Sequence, residues 1–202
     1  MIPRVAELMA WEQQHGAAVV AQPERLWLYS LARLLGATRI LELGVNVGGS
    51  LSWLAAAAAD NVDAFSAANI DAGPAHVVGV DDWSGDTGGG GRGGPEKAQA
   101  RLRELALKAE IITSPTRAFL PQADAGYYDL IHVDACHRYK EALYDVLQSI
   151  RLAPKMVVVH DVNLGIDDVR MACKDAAVTT GFRPLWFDGS VTGPGTGAGA
   201  HG

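Results

Sequence analysis

The sequence predicts an α/β protein built on a doubly wound, mostly parallel sheet with helices on both faces. Two observations carry this. Short apolar runs bounded by Gly, Pro or Asp recur along the 202 residues, and several lack polar alternation, as strands buried on both faces do. The segments between them are long enough for crossover helices, which parallel pairing requires.

The elements follow in order. Residues 1–37 form a helical N-terminal extension in which "PERLWLYSLARLLG" sets Leu26, Tyr29, Ala32 and Leu35 near helical spacing. Gly36 is its expected C-cap. Strands are predicted at 39–44 (RILELG), 76–81 (HVVGVD), 110–114 (EIITS), 128–134 (YDLIHVD), 156–161 (MVVVHD) and 182–187 (FRPLWF). An alanine-rich helix begins at Ser50. The helix "YKEALYDVLQSIRLA" puts Ala142, Leu143, Val146, Leu147 and Ile150 on one face, and Pro154 stops it. The glycine-dominated stretch at 85–95 reads as a mobile loop, and 189–202 as a flexible tail. The whole chain, 1–202, reads as one domain. Plain core packing is the favoured role of the extension, ahead of a sheet-edge cover, a site lid or a subunit contact in a homo-oligomer.

Composition narrows the partners. A formal net charge of −6 disfavours nucleic acid and anionic membrane surfaces, because both want a basic patch. The opening "MIPRVAELMAWEQQHG" lacks the apolar core of a signal peptide. The apolar stretch at 51–59 is far shorter than the ~20 residues that span a bilayer. Cys136 and Cys173 have no metal-type spacing and fit a reduced, cytoplasmic compartment, although two cysteines can also form one bridge.

The turn after the first strand is the first candidate site. In an open parallel sheet the ligand lies beyond the C-terminal strand ends, where the strand order reverses. In "ILELGVNVGGS", Gly44, Gly48 and Gly49 allow close backbone approach, and the helix from Ser50 offers free N–H groups. Glu42 precedes the turn, and Asp81 ends strand two, where a carboxylate suits ribose hydroxyls. A dinucleotide site prefers G-x-G-x-x-G with an acid about 20 residues on. Here the glycines are spaced G-x-x-x-G-G and Asp81 lies much further along, so a cationic ligand with a ribose fits better.

In order, "ILELGVNVGGS", "VVGVDDW", "YDLIHVDACHRYKEALYDV" and "MVVVHDVN" resemble the motifs of class I S-adenosylmethionine-dependent methyltransferases, whose fold is Rossmann-like. The similarity covers roughly residues 36–188. The "DACH" and "HD" pair resembles the branch related to metal-dependent O-methyltransferases of antibiotic and macrolide-sugar pathways. The resemblance implies a small-molecule acceptor as the partner. It also implies that Glu42 and Gly44 flank the methionine part of S-adenosylmethionine and that Asp81 binds the ribose. Trp83 and Ser114 would lie nearer the adenine. Asn46, Gly48, Ser50, Asp82 and Asp134 complete the implied cofactor wall. Asn46 departs from the family, many of whose members have a second glycine there. The tail is poor in strand formers, which puts the family's antiparallel last strand in doubt.

The acids after strands four and five form the second candidate site. Asp134 and Asp161 end strands that face one crevice, and two converging carboxylates repel unless a cation or shared proton relieves them. Mg²⁺ takes oxygen ligands, commonly one or two carboxylates with waters and substrate oxygens. A cation there would lower the pKa of an acceptor hydroxyl and orient it. His160 and Asn163 are candidates for a third ligand. The resembling enzymes carry an acid before the equivalent of Asp161, and His160 is softer chemistry for Mg²⁺. His137, at the start of the next helix, is the candidate general base. His132, inside strand four, reads as a packed, hydrogen-bonded histidine. Two rival functions stand beside methyl transfer: a nicotinamide-dependent oxidoreductase, and a cofactor-binding protein without turnover.

Overall fold

A computed structural model of the chain describes residues 3–16, 22–84, 94–162 and 167–185. The expected glycine loop, save Gly94 and Pro95, and the tail and Asn163 lie outside the described residues. The elements run α1 (Pro3–His15), α2 (Gln22–Leu35), β1 (Arg39–Leu43), α3 (Gly49–Ala67), β2 (His76–Asp81), α4 (Pro95–Glu104), β3 (Glu110–Thr113), α5 (Thr116–Phe119), β4 (Leu130–Val133), α6 (Tyr139–Arg151), β5 (Met156–Val159) and α7 (Asp167–Thr180). The five strands form one parallel sheet in the order β3-β2-β1-β4-β5. The order reverses between β1 and β4, so the crevice opens beyond Leu43 and Val133.

Alternation along each strand builds two cores. Ile40, Val77 and Leu130 face a layer of α1 to α4, with Leu28, Tyr29, Leu51, Trp53, Leu54 and Ala98. Leu41, Leu43, Val78, Ile131 and Val133 face the opposite layer, with Ala142 and Val146 of α6 and Val169, Ala172 and Ala176 of α7. Central strands buried on both sides favour apolar residues on both faces, which explains the nearly unbroken runs; Glu42 and His132 are the buried polar exceptions.

Two expectations need correcting. Residues 182–185 form no strand, and among the described residues β5 is the sheet's last strand. Leu26 does not belong to the inner stripe of α2: it is 38% exposed, while Arg25, Leu28, Tyr29 and Ala32 are buried. Gly36 caps α2 as expected. Its φ is +62°, and the Ala37 amide closes on the Ala32 carbonyl at 3.0 Å.

Polar contacts dock the N-terminal helices on α3. Arg25, fully buried, donates to Glu12 at 2.7 Å, and Glu12 also accepts from the Trp53 indole at 2.9 Å. Tyr29 donates to Asp60 at 2.5 Å, and Arg4 bridges Asp60 and Asp63. Asn61 donates to the Ala32 and Ala37 carbonyls. The extension is thus packed core, and its second helix also reaches the crevice.

Candidate active site

The glycine turn is shaped by the strand it crosses. Gly44 has φ +89°, and a Cβ built there would stand 2.0 Å from the Asp134 carbonyl oxygen, so only glycine fits. Asn46 also has a positive φ, +49°, a conformation asparagine tolerates better than most residues. Its buried Oδ1 has no hydrogen-bond partner among the described residues. Gly48, at φ +75°, leads into α3 and packs against Ala98 of α4.

Asp81 holds this turn together. Its Oδ2 accepts from the Val45 and Asn46 amides, each at 2.8 Å, and its Oδ1 accepts from the Trp83 amide at 2.8 Å. Trp83 donates its indole N–H to the Asn46 carbonyl at 2.9 Å, folding the ring back onto the turn. Asp82 is exposed and accepts from the Ser84 amide. Ser114 lies at the end of β3, its amide bonded to the Asp81 carbonyl. The residues expected to line a nucleoside pocket therefore cluster at the ends of β2 and β3. Asp81 already has three backbone donors, so in addition to any ligand contact it shapes the turn.

Glu42 and His132 are register partners on β1 and β4, so their side chains share one face. Both are fully buried, and His132 Nδ1 lies 2.9 Å from Glu42 Oε1. Burial pushes the Glu42 carboxyl above its ordinary range, against the opposing pull of His132 and Ser50. Glu42 Oε2 and His132 Nε2 have no hydrogen-bond partner among the described residues. This is the packed histidine the sequence suggested, with the glutamate as its partner.

Beyond β4 and β5 lies a second cluster. Asp134 follows β4, its amide bonded to the Leu43 carbonyl at 2.8 Å. Asp161 follows β5 in a left-handed conformation, φ +60°. His137 Nε2 lies 3.0 Å from Asp161 Oδ2 and 3.8 Å from Asp134 Oδ1. His160 Nδ1 lies 2.9 Å from Asp161 Oδ1 and 3.3 Å from Asp134 Oδ1. Asp134, His137 and Asp161 could together hold a metal ion. His160 adds a fourth donor, so the structure brings His137 as well as His160 to the paired acids.

The electrostatics follow from that crowding. Asp134 and Asp161 raise His137 to about 9, against burial. Burial also disfavours charge on His160, yet the same two carboxylates raise it to about 11. Although burial favours their neutral forms, the histidines hold both aspartates below the ordinary carboxylate range. Among the described residues, His137 Nε2, His160 Nδ1 and Asp161 Oδ1 are buried without an aligned hydrogen-bond partner despite these short separations.

Sequence reasoning missed one contributor. Glu24 of α2 places Oε2 3.3 Å from His160 Nε2. It lies far away in sequence on a helix with no motif, so no local signal marks it.

Residues 41–162 match the family described as "Methyltransferase domain". Among curated proteins no relative matches the chain. Solved structures do. A cofactor-bound protein from MTB is 22% identical with a TM-score of 0.60, covering 91% of this chain and 80% of that one. An O-methyltransferase from Bacillus cereus in complex with SAH is 15% identical, TM-score 0.60, covering 88% and 80%. The O-methyltransferase TomG from Streptomyces achromogenes, involved in tomaymycin synthesis and bound to SAM, is 21% identical, TM-score 0.56, covering 87% and 78%. At these identities the likeness is one of fold.

Proposed function

The chain belongs to the methyltransferase-domain family, and from that premise we propose that it transfers a methyl group from S-adenosylmethionine to a hydroxyl of a small molecule, with help from a divalent cation. The acceptor class we favour is a sugar or another natural-product intermediate. The observation that carries this reading is the juxtaposition of the two clusters. The glycine turn and the Asp134–His137–Asp161 group, with His160 beside it, lie at the C-terminal ends of neighbouring strands, and a Cβ on Gly44 would meet the Asp134 carbonyl. The family match sets the nicotinamide-dependent alternative aside.

The residues present fit both groups. When bound, S-adenosylmethionine would supply an electrophilic methyl, and a divalent cation held by the acids would supply polarisation of the acceptor oxygen. Gly44 would let the donor approach the backbone, and the Glu42 and Asn46 oxygens, without a partner among the described residues, would be acceptors for its polar groups. Asp81 keeps the turn in shape and retains lone-pair capacity for a ribose hydroxyl. Asp134, Asp161 and His160 would hold the cation. His137 would accept the hydroxyl proton. In the protein alone the two aspartates keep His137 protonated up to about pH 9, so it becomes a base only where those carboxylates are neutralised.

The test is methyl transfer from labelled S-adenosylmethionine to a panel of sugar and phenolic hydroxyl acceptors, with and without chelator. Chelation should abolish transfer and leave cofactor affinity nearly intact. His137→Ala should retain cation binding while the rate falls about 10²–10⁴-fold, the contribution of a positioned base. Full activity in excess chelator would remove the cation from the mechanism. Lost cation binding in His137→Ala would move that residue from base to ligand.

A further inference from the structure

The family resemblance points to an oxygen-ligated cation such as Mg²⁺, but the donors around Asp134 and Asp161 are not all oxygens. His160 presents Nδ1 to both aspartates, at 2.9 and 3.3 Å. Metal–ligand bonds to nitrogen and oxygen of about 2.0–2.2 Å put neighbouring ligands roughly 3.0–3.5 Å apart, so these separations are those of one coordination sphere. Among the described residues, His160 Nδ1 and Asp161 Oδ1 are buried without an aligned hydrogen-bond partner, 2.9 Å apart. One nitrogen thus sits within reach of both carboxylates, where a shared cation would draw on all three.

The opposite nitrogen is occupied in a telling way. Glu24 Oε2 lies 3.3 Å from His160 Nε2. A histidine that ligates through one ring nitrogen commonly gives the N–H of the other to a carboxylate, which fixes the tautomer and raises ligand basicity. Here Glu24 would accept from Nε2–H, and a cation displacing the Nδ1 proton would meet the Nδ1 lone pair between the acids. The carboxylate comes from α2, in the N-terminal extension, so the helix packed over α3 also completes the cluster.

Resting on the reading that this cluster holds a cation, we propose that His160, oriented by Glu24, makes it a mixed nitrogen–oxygen site selective for a first-row transition ion over Mg²⁺. Imidazole suits the later transition ions, and affinity for such sites rises along the series towards copper, whereas Mg²⁺ keeps to oxygen and water. Glu24 is a positioning residue, acting through His160.

Co²⁺ is the informative probe, because its d–d absorption reports nitrogen ligation without any turnover. The full-length protein, freed of metal, should bind Co²⁺ at least 100-fold more tightly than Mg²⁺ by calorimetry and show a visible d–d band. His160→Asp restores an all-oxygen set at that position: Co²⁺ affinity should fall, Mg²⁺ affinity should rise, and the band should weaken. Glu24→Gln should lower Co²⁺ affinity about 10–100-fold, the usual loss when such a partner is removed, and shift the band, with Glu24→Asp recovering part of it. Circular dichroism of each variant separates these effects from misfolding. Equal or tighter binding of Mg²⁺, or a band unmoved by His160→Asp, overturns the selectivity while leaving cation assistance intact. Binding of neither ion overturns both.

Discussion

Replacing Gly44 by alanine should damage the fold and both halves of the site at once. The added Cβ would stand 2.0 Å from the Asp134 carbonyl oxygen, 2.5 Å from its carbon and 2.8 Å from the Ala135 Cα. All three are backbone atoms, so no side chain can turn aside. Relief requires the end of β4 to retreat by more than an ångström, against the Asp134 amide bond to the Leu43 carbonyl at 2.8 Å. A left-handed conformation costs a non-glycine residue about 1–3 kcal/mol. Overpacking of this kind costs about 1–3 kcal/mol more. The loss should therefore be about 2–6 kcal/mol, a large fraction of the roughly 5–15 kcal/mol that holds a domain together. Urea unfolding monitored by tryptophan fluorescence reads it, with Gly73→Ala as control: φ there is +66° and nothing lies within 4 Å. The control should lose only the backbone part. Gly44→Ala and Gly73→Ala with equal unfolding free energies would show that the turn does not press against β4.

Three further outcomes are expected. Asp145, buried at 1% exposure, is raised by burial to about 6. Its folded form holds the proton more tightly than the unfolded chain does. The cost of ionising it therefore grows as pH rises from about 4 to 6 and reaches about 3 kcal/mol above that. Asp145→Asn should raise the unfolding midpoint at pH 7.5 and leave it nearly unchanged at pH 4; equal shifts at both would refute this. Glu12→Gln removes the charge facing buried Arg25 and should destabilise the protein by about 3–5 kcal/mol in denaturant titration, whereas a loss below 1 would mean Arg25 is satisfied elsewhere. Asp81→Ala strips an acceptor from three backbone amides and should weaken S-adenosylmethionine binding tenfold or more by calorimetry; unchanged affinity would remove Asp81 from the site.

Much of this was legible in the chain because the signals are periodic or local. The run at 76–81 coincides with β2, since strands buried on both faces favour apolar residues on each. The glycine turn was visible because backbone approach at Gly44 leaves its mark as residue type. Asp134 and Asp161 could be paired because topology alone puts the ends of β4 and β5 side by side. The α6 stripe was only half legible: Ala142 and Val146 are buried, but so are Asp145 and Ser149, which no hydrophobic pattern announces. Glu24 was invisible for a similar reason, because a single carboxylate on a surface helix carries no spacing. The segment at 182–187 has strand-forming residues, but where it is described it lacks the pairing that would make it a strand. Propensity without a partner strand does not make a ladder.

The docking of α1 and α2 on α3 also bears on how the chain folds. Arg4, Tyr29 and Arg33 reach Asp60, Asp63 and Asn61 across sequence separations of 28–59 residues, and Trp53 meets Glu12 across 41. Such contacts close long loops, so they form only after α3 offers a finished surface. Helix α3 carries a fully buried Trp53 and a run of buried alanines from 55 to 58. Until the two N-terminal helices arrive, that surface faces water. Glu24 reaches His160 from the second of those helices, so a loss of their docking on α3 would also strip a carboxylate from the site.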